Sequence, residues 1–107
     1  MPVAIDMTSN FLSRPIDVSN YGVIIAGTQK NAGIAGLAIV IVRDDLLGKP
    51  MSICPTILDY TILNKMNSLY NTPPCYPIYM TRIYLQWIKD QGGLEVMGDR
   101  SDQRARL

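Results

Sequence analysis

Histidine is absent from this chain. Without an imidazole there is no Ser-His-Asp triad, no Cys-His pair and none of the common zinc sites. Cysteine is scarce: Cys54 and Cys75 stand 21 residues apart with no close-spaced partner. That spacing supports no metal site, so none is expected, and the plain reading is two reduced thiols in a cytoplasmic protein. Long apolar runs are missing too. The one long candidate is interrupted by Thr28, Gln29, Lys30 and Asn31, and a membrane-spanning helix needs about 18 or more apolar residues. No charge of one sign dominates, because the net charge is +1 and the isoelectric point is near 7.7. Long-range attraction to nucleic acid or an anionic membrane is therefore not expected. The basic ending Arg100, Arg104, Arg106 is broken by Asp99 and Asp102 and reads as a solvated helix face.

What is present is a globular composition, 48% hydrophobic and 18% charged over 107 residues, enough for one small domain. Residues 2 to 5 read as a short buried strand. A polar irregular stretch follows to Arg14-Pro15, and Asp17 to Gly22 is turn-like. Val23-Ile24-Ile25 opens a second strand, and Leu37 to Arg43 forms a third, both β-branched and both expected to be buried. Asp44 to Gly48 suggests one helical turn. Residues 49 to 72 give weak signals, with a short helix expected near Ile57 to Leu63.

After Pro73-Pro74, residues Tyr76, Met80, Ile83, Tyr84, Trp87 and Ile88 recur at helical spacing. They predict the best helix of the chain, with this stripe packed in a core. Gly92-Gly93 ends it, and Leu94 to Arg106 restarts a weaker helix containing Gly98.

The chemistry centres on Lys30, in Ala26-Gly27-Thr28-Gln29-Lys30-Asn31-Ala32-Gly33. It lies on the connection between two apolar strands. An amine held there is expected to be positioned and partly desolvated, which favours the free base that condenses with a carbonyl. A solvated lysine capping a hydrophobic segment is the competing reading, and the commoner one. A phosphate loop over Gly27 to Gly36 is weak, since the spacing does not give GxxxxGK[ST].

Four segments carry a specific resemblance: Asp6-Met7-Thr8-Ser9-Asn10-Phe11-Leu12-Ser13-Arg14-Pro15-Ile16-Asp17-Val18, then Ala26 to Asn31, then Ile41-Val42-Arg43-Asp44-Asp45-Leu46-Leu47-Gly48, then Tyr70-Asn71-Thr72-Pro73-Pro74. In order and spacing they resemble the phosphoserine aminotransferases, class V enzymes dependent on pyridoxal 5'-phosphate (PLP). The resemblance implies an α/β fold, part of a type I PLP-dependent aminotransferase large domain plus the start of the C-terminal small domain. Residues 1 to 72 would be the later part of the PLP-binding domain and 73 to 107 the incomplete helical beginning of the small domain.

The implied reaction moves the amino group of glutamate to 3-phosphohydroxypyruvate, giving O-phosphoserine in serine biosynthesis, in a homodimeric cytoplasmic enzyme. By the same resemblance Lys30 is the Schiff-base lysine, Asp6 the partner of the ring nitrogen and Gln29 a cofactor contact. Asn71 and Thr72 bind the PLP phosphate of a neighbouring subunit. Read from residues alone, Asp6 is a loop aspartate accepting backbone N–H bonds, and Thr72 is a helix N-cap with Pro73 at the first helical position.

The chain departs from the family pattern at Ile25, Thr28, Ile34 and Pro77. Thr28 adds a hydroxyl beside the cofactor loop, and Pro77 implies a late helix start or a kink. The resemblance also places a glycine-rich phosphate turn and a ring-stacking aromatic before Met1, a substrate-binding arginine after Leu107, and leaves room for a lost targeting segment. The chain is thus expected to be a fragment without appreciable transaminase activity. A noncatalytic truncated paralogue that pairs with a full-length enzyme is the rival expectation.

Overall fold

The apolar β-branched runs pair directly with one another. In the computed structural model, which describes residues 1–107, β1 (Ala4–Asp6), β2 (Val23–Gly27) and β3 (Ala38–Val42) form one sheet in that order. β1 runs parallel to β2, with Ile5 opposite Ile24 and Asp6 opposite Ile25. β2 runs antiparallel to β3, with Ile24 opposite Ile41 and Ala26 opposite Ile39. Three helices follow: α1 (Tyr60–Lys65), α2 (Cys75–Asp90) and α3 (Gly93–Ala105). Single 3-10 turns occur at Val18–Asn20, Asp44–Leu46 and Thr56–Leu58.

The molecule measures 48 × 35 × 20 Å. A slab so thin holds about two layers, and only nine residues are buried. Ile24 and Ala26 supply the sheet's share, Met7, Gly22, Thr28 and Ala32 come from the loops, and Thr81, Ile88 and Met97 from α2 and α3. The expectation of buried strands is corrected: Ile25 on β2 and Val40 and Ile41 on β3 are exposed. Period-2 patterning identifies apolar faces, but it does not say that this chain covers them.

The stripe on α2 is corrected in the same way. Ile88 is buried, whereas Tyr76, Ile83 and Trp87 are exposed. Trp87 instead stacks on Tyr84 at 5.7 Å, with the Arg100 guanidinium 5.8 Å from its ring, a cation–π geometry.

The start of α2 is also corrected. Pro74, not Thr72, is the N-cap residue, and no side chain caps it. The first intrahelical bond is Ile78 N–H to Pro74 O, 3.1 Å. Pro77 therefore falls in the first turn, where its missing N–H has no intrahelical acceptor to lose. The late start inferred from Pro77 is what the helix shows.

α3 crosses back onto the segment after β1. Ser101 Oγ donates to Ser13 O at 3.1 Å, and Arg14 pairs with Asp102 at 3.2 Å. Gly98 lies where a Cβ would stand 3.6 Å from Arg14 Cβ and 3.8 Å from Pro15 Cδ, ordinary contact distances. Gly33 is tighter: a Cβ there would come within 2.7 Å of Thr81 Oγ1.

The two glycines should respond oppositely to alanine in chemical denaturation. Gly98→Ala fills available space within a helix and is expected to stabilise by about 0.4–1 kcal/mol. Gly33→Ala, at φ +155° against the buried Thr81, is expected to destabilise by about 1–3 kcal/mol.

Candidate active site

Parallel pairing puts the C-terminal ends of β1 and β2 on one edge of the sheet, and both candidate chemical groups sit there. Asp6 is the last residue of β1, opposite Ile25, and Met7 N–H donates to Ile25 O at 2.7 Å. β2 runs on to Gly27 and turns through Thr28 to Lys30. The Asp6 carboxylate accepts the Thr8 N–H at 2.8 Å. Its acidity is strengthened below the ordinary 3.8, first by the Thr8 hydroxyl, then by the Thr8 N–H, with the Lys30 charge a smaller contribution. The carboxylate is thus kept ionised.

Lys30 is exposed, which corrects the expected desolvation. Geometry, not burial, holds it: Nζ donates to Ser9 Oγ at 2.8 Å. Two further bonds tie the same two segments together. Gly27 N–H donates to Thr8 Oγ1 at 3.0 Å, and Asn31 Nδ2 donates to Phe11 O at 2.8 Å. The turn that carries Ser9 then ends at Leu12, whose φ of +63° lies in the left-handed region. For an apolar side chain that conformation costs roughly 1–3 kcal/mol and persists only where surrounding contacts impose it.

Thr28 is fully buried. Its hydroxyl meets Ile34 O and Leu37 O, the latter at 3.2 Å, so the added hydroxyl braces the loop from inside. Gln29 is exposed, with its carboxamide folded over Gly27. On its other side Lys30 borders an open cavity of about 470 Å3, walled by Ile34, Met80, Ile83, Tyr84 and Trp87.

Asp6, Gln29 and Lys30 therefore come together. Asn71 and Thr72 do not join them: both are exposed, in the irregular stretch before α2. Thr8, Ser9 and Asn31 were not singled out by sequence reasoning. An aspartate followed two residues later by threonine is a turn signal for Thr8. Ser9 and Asn31 act across 21 and 20 residues of chain, and local pattern carries no such information.

The lysine amine and ionised carboxylate on a strand edge fit an aldehyde cofactor with a basic ring nitrogen. The family described as Aminotransferase class-V matches residues 1–107. A phosphoserine aminotransferase of Azotobacter vinelandii is 50% identical over the whole chain, which spans 30% of that relative's length. Among solved structures, a phosphoserine aminotransferase studied for radiation damage of its Schiff base superposes with a TM-score of 0.92 at 47% identity, over 98% of this chain and 29% of that one. The PLP-bound phosphoserine aminotransferase of Trichomonas vaginalis gives 0.93 at 45% identity, over 98% of this chain and 31% of its own.

The Asp6 environment fixes a pH response. Its folded-state pKa lies below 3.8, so its stabilising contribution is complete above the unfolded value of about 3.9 and fades as pH falls through the folded value. Carboxyl NMR titration should find the Asp6 midpoint depressed. Thr8→Val, which removes the leading cause, should raise it.

Proposed function

The chain belongs to the class-V aminotransferase family, and we propose that it is the part of a phosphoserine aminotransferase that carries the cofactor-binding lysine. The observation carrying this reading is the β1–β2 pairing that sets the ionised Asp6 and the amine of Lys30 on one edge, in a chain half identical to such an enzyme. The whole enzyme would transfer the amino group of glutamate to 3-phosphohydroxypyruvate, giving O-phosphoserine and 2-oxoglutarate in serine biosynthesis. When bound, PLP supplies an aldehyde for the amino group and an electron-withdrawing ring.

The residues divide the remaining work. Lys30 Nζ would join the cofactor's aldehyde carbon and, once displaced by the substrate amine, move the proton at the substrate's α-carbon. Asp6, kept ionised by Thr8, would hold the proton on the ring nitrogen. Gln29, beside Lys30 and exposed, would contact the cofactor.

Asn71 and Thr72 would offer amide and hydroxyl donors to the phosphate held by a second copy, which makes the enzyme a homodimer. Their exposure away from Lys30 supports that assignment. Under this reading the domain division falls at Pro73, just ahead of α2, and the two free thiols suit a cytoplasmic setting.

Incubation with PLP, borohydride reduction and peptide mapping should label Lys30, and Lys30→Ala should lose the label. Transamination by the complete polypeptide should fall by roughly 10^2- to 10^4-fold or more in that variant. The 107-residue chain alone is expected to show no turnover with glutamate and 3-phosphohydroxypyruvate, because substrate anchoring and near-attack geometry need groups beyond those assembled on this edge. Labelling at another lysine would reject the assignment.

A further inference from the structure

The partner of Lys30 is a hydroxyl, and the turn that presents it is fixed on every side. Thr8, just before Ser9, binds Asp6 and Gly27, and Phe11, two residues after it, accepts from Asn31. Further along, Ser13 O accepts from Ser101, and Arg14 pairs with Asp102. Ser9 is exposed, so its contact with Lys30 adds little to folding. The scaffold around it delivers one oxygen to one place.

Resting on the functional reading above, we propose that Ser9 is a positioning residue: its hydroxyl is the resting point of Lys30 Nζ whenever that amine is not joined to a carbonyl. A lysine side chain is long and loses much rotamer freedom when its amine is held in place. Holding the freed amine at one fixed point of the loop shortens its search before each proton transfer and each return. A hydroxyl suits this task better than a carboxylate. It accepts from the ammonium form and donates to the neutral amine, so it follows Lys30 through both protonation states. A carboxylate in the same place would favour the ammonium and oppose nucleophilic attack.

Two measurements on the full chain, made with wild type, Ser9→Ala and Ser9→Thr, test the proposal. Trace acetylation with acetic anhydride, mapped by mass spectrometry, compares Lys30 with Lys65 and Lys89 as internal references. Ser9→Ala should raise relative Lys30 labelling roughly threefold or more, and Ser9→Thr should return it to the wild-type level. Equal labelling in all three proteins overturns the contact and the proposal with it.

The second measurement follows PLP capture by stopped-flow absorbance with borohydride trapping. Ser9→Ala should slow capture at Lys30 roughly threefold or more while reaching the same final yield, and Ser9→Thr should rescue the rate. A changed labelling pattern with unchanged capture overturns the positioning role. Absence of any Lys30 adduct in the wild type rejects the functional reading instead, and the acetylation result then still supports or overturns the Ser9 contact by itself.

Discussion

The parallel pairing of β1 with β2 is the constraint on which the site depends. Parallel neighbours bring the C-terminal ends of two strands to one edge, so Asp6 and the turn to Lys30 become neighbours although 24 residues separate them in sequence. The same geometry requires a long return from that edge to the opposite one. Met7 to Gly22 makes this return without a regular helix beyond the turn at Val18–Asn20. A helical crossover would satisfy its own backbone; an irregular one must find partners elsewhere. It finds them in the Lys30 loop and in α3, and that need draws Thr8, Ser9 and Phe11 against Gly27, Lys30 and Asn31.

The strands and helices were legible because β-branched runs and a 3.6-residue stripe are local signals. The third strand, read as Leu37 to Arg43, is Ala38–Val42, and the helix expected near Ile57 to Leu63 is a 3-10 turn followed by Tyr60–Lys65. Burial was not legible. Ile25, Val40, Ile83 and Trp87 have the composition of core residues and lie at the surface, since pattern records which face is apolar and not what lies on it. The cap at Thr72 failed for a local reason: the two prolines and Pro77 push regular helix dihedrals back to Cys75, leaving Thr72 outside the first turn.

The candidate site was legible in its residue types and not in its supports. Lys30 and Asp6 are marked by residue type and by the family's words around them. The contacts that hold them are nonlocal. Ser101 to Ser13 and Asp102 to Arg14 each span 88 residues, and they tie the last helix to the turn beside the lysine. Gly98, which reads in sequence as a helix weakness, is where α3 comes close to Arg14 and Pro15. A residue that lowers helix propensity by about 1 kcal/mol sits where the helix meets the active loop's brace.

Thr28 shows how an exposed lysine can still be a precise one. Its hydroxyl is buried between the carbonyls of Ile34 and Leu37, and its N–H donates to Leu37 O at 3.0 Å. The turn carrying Lys30 is thereby bound to the start of β3 from within. Each carbonyl so satisfied removes a reason for the loop to open toward water. The side chain that departs from the family pattern therefore stiffens the base from which Lys30 extends, while Ser9 holds the tip. With both ends of the lysine located, burial of the amine is not needed to position it, and the exposed site stays open to a cofactor.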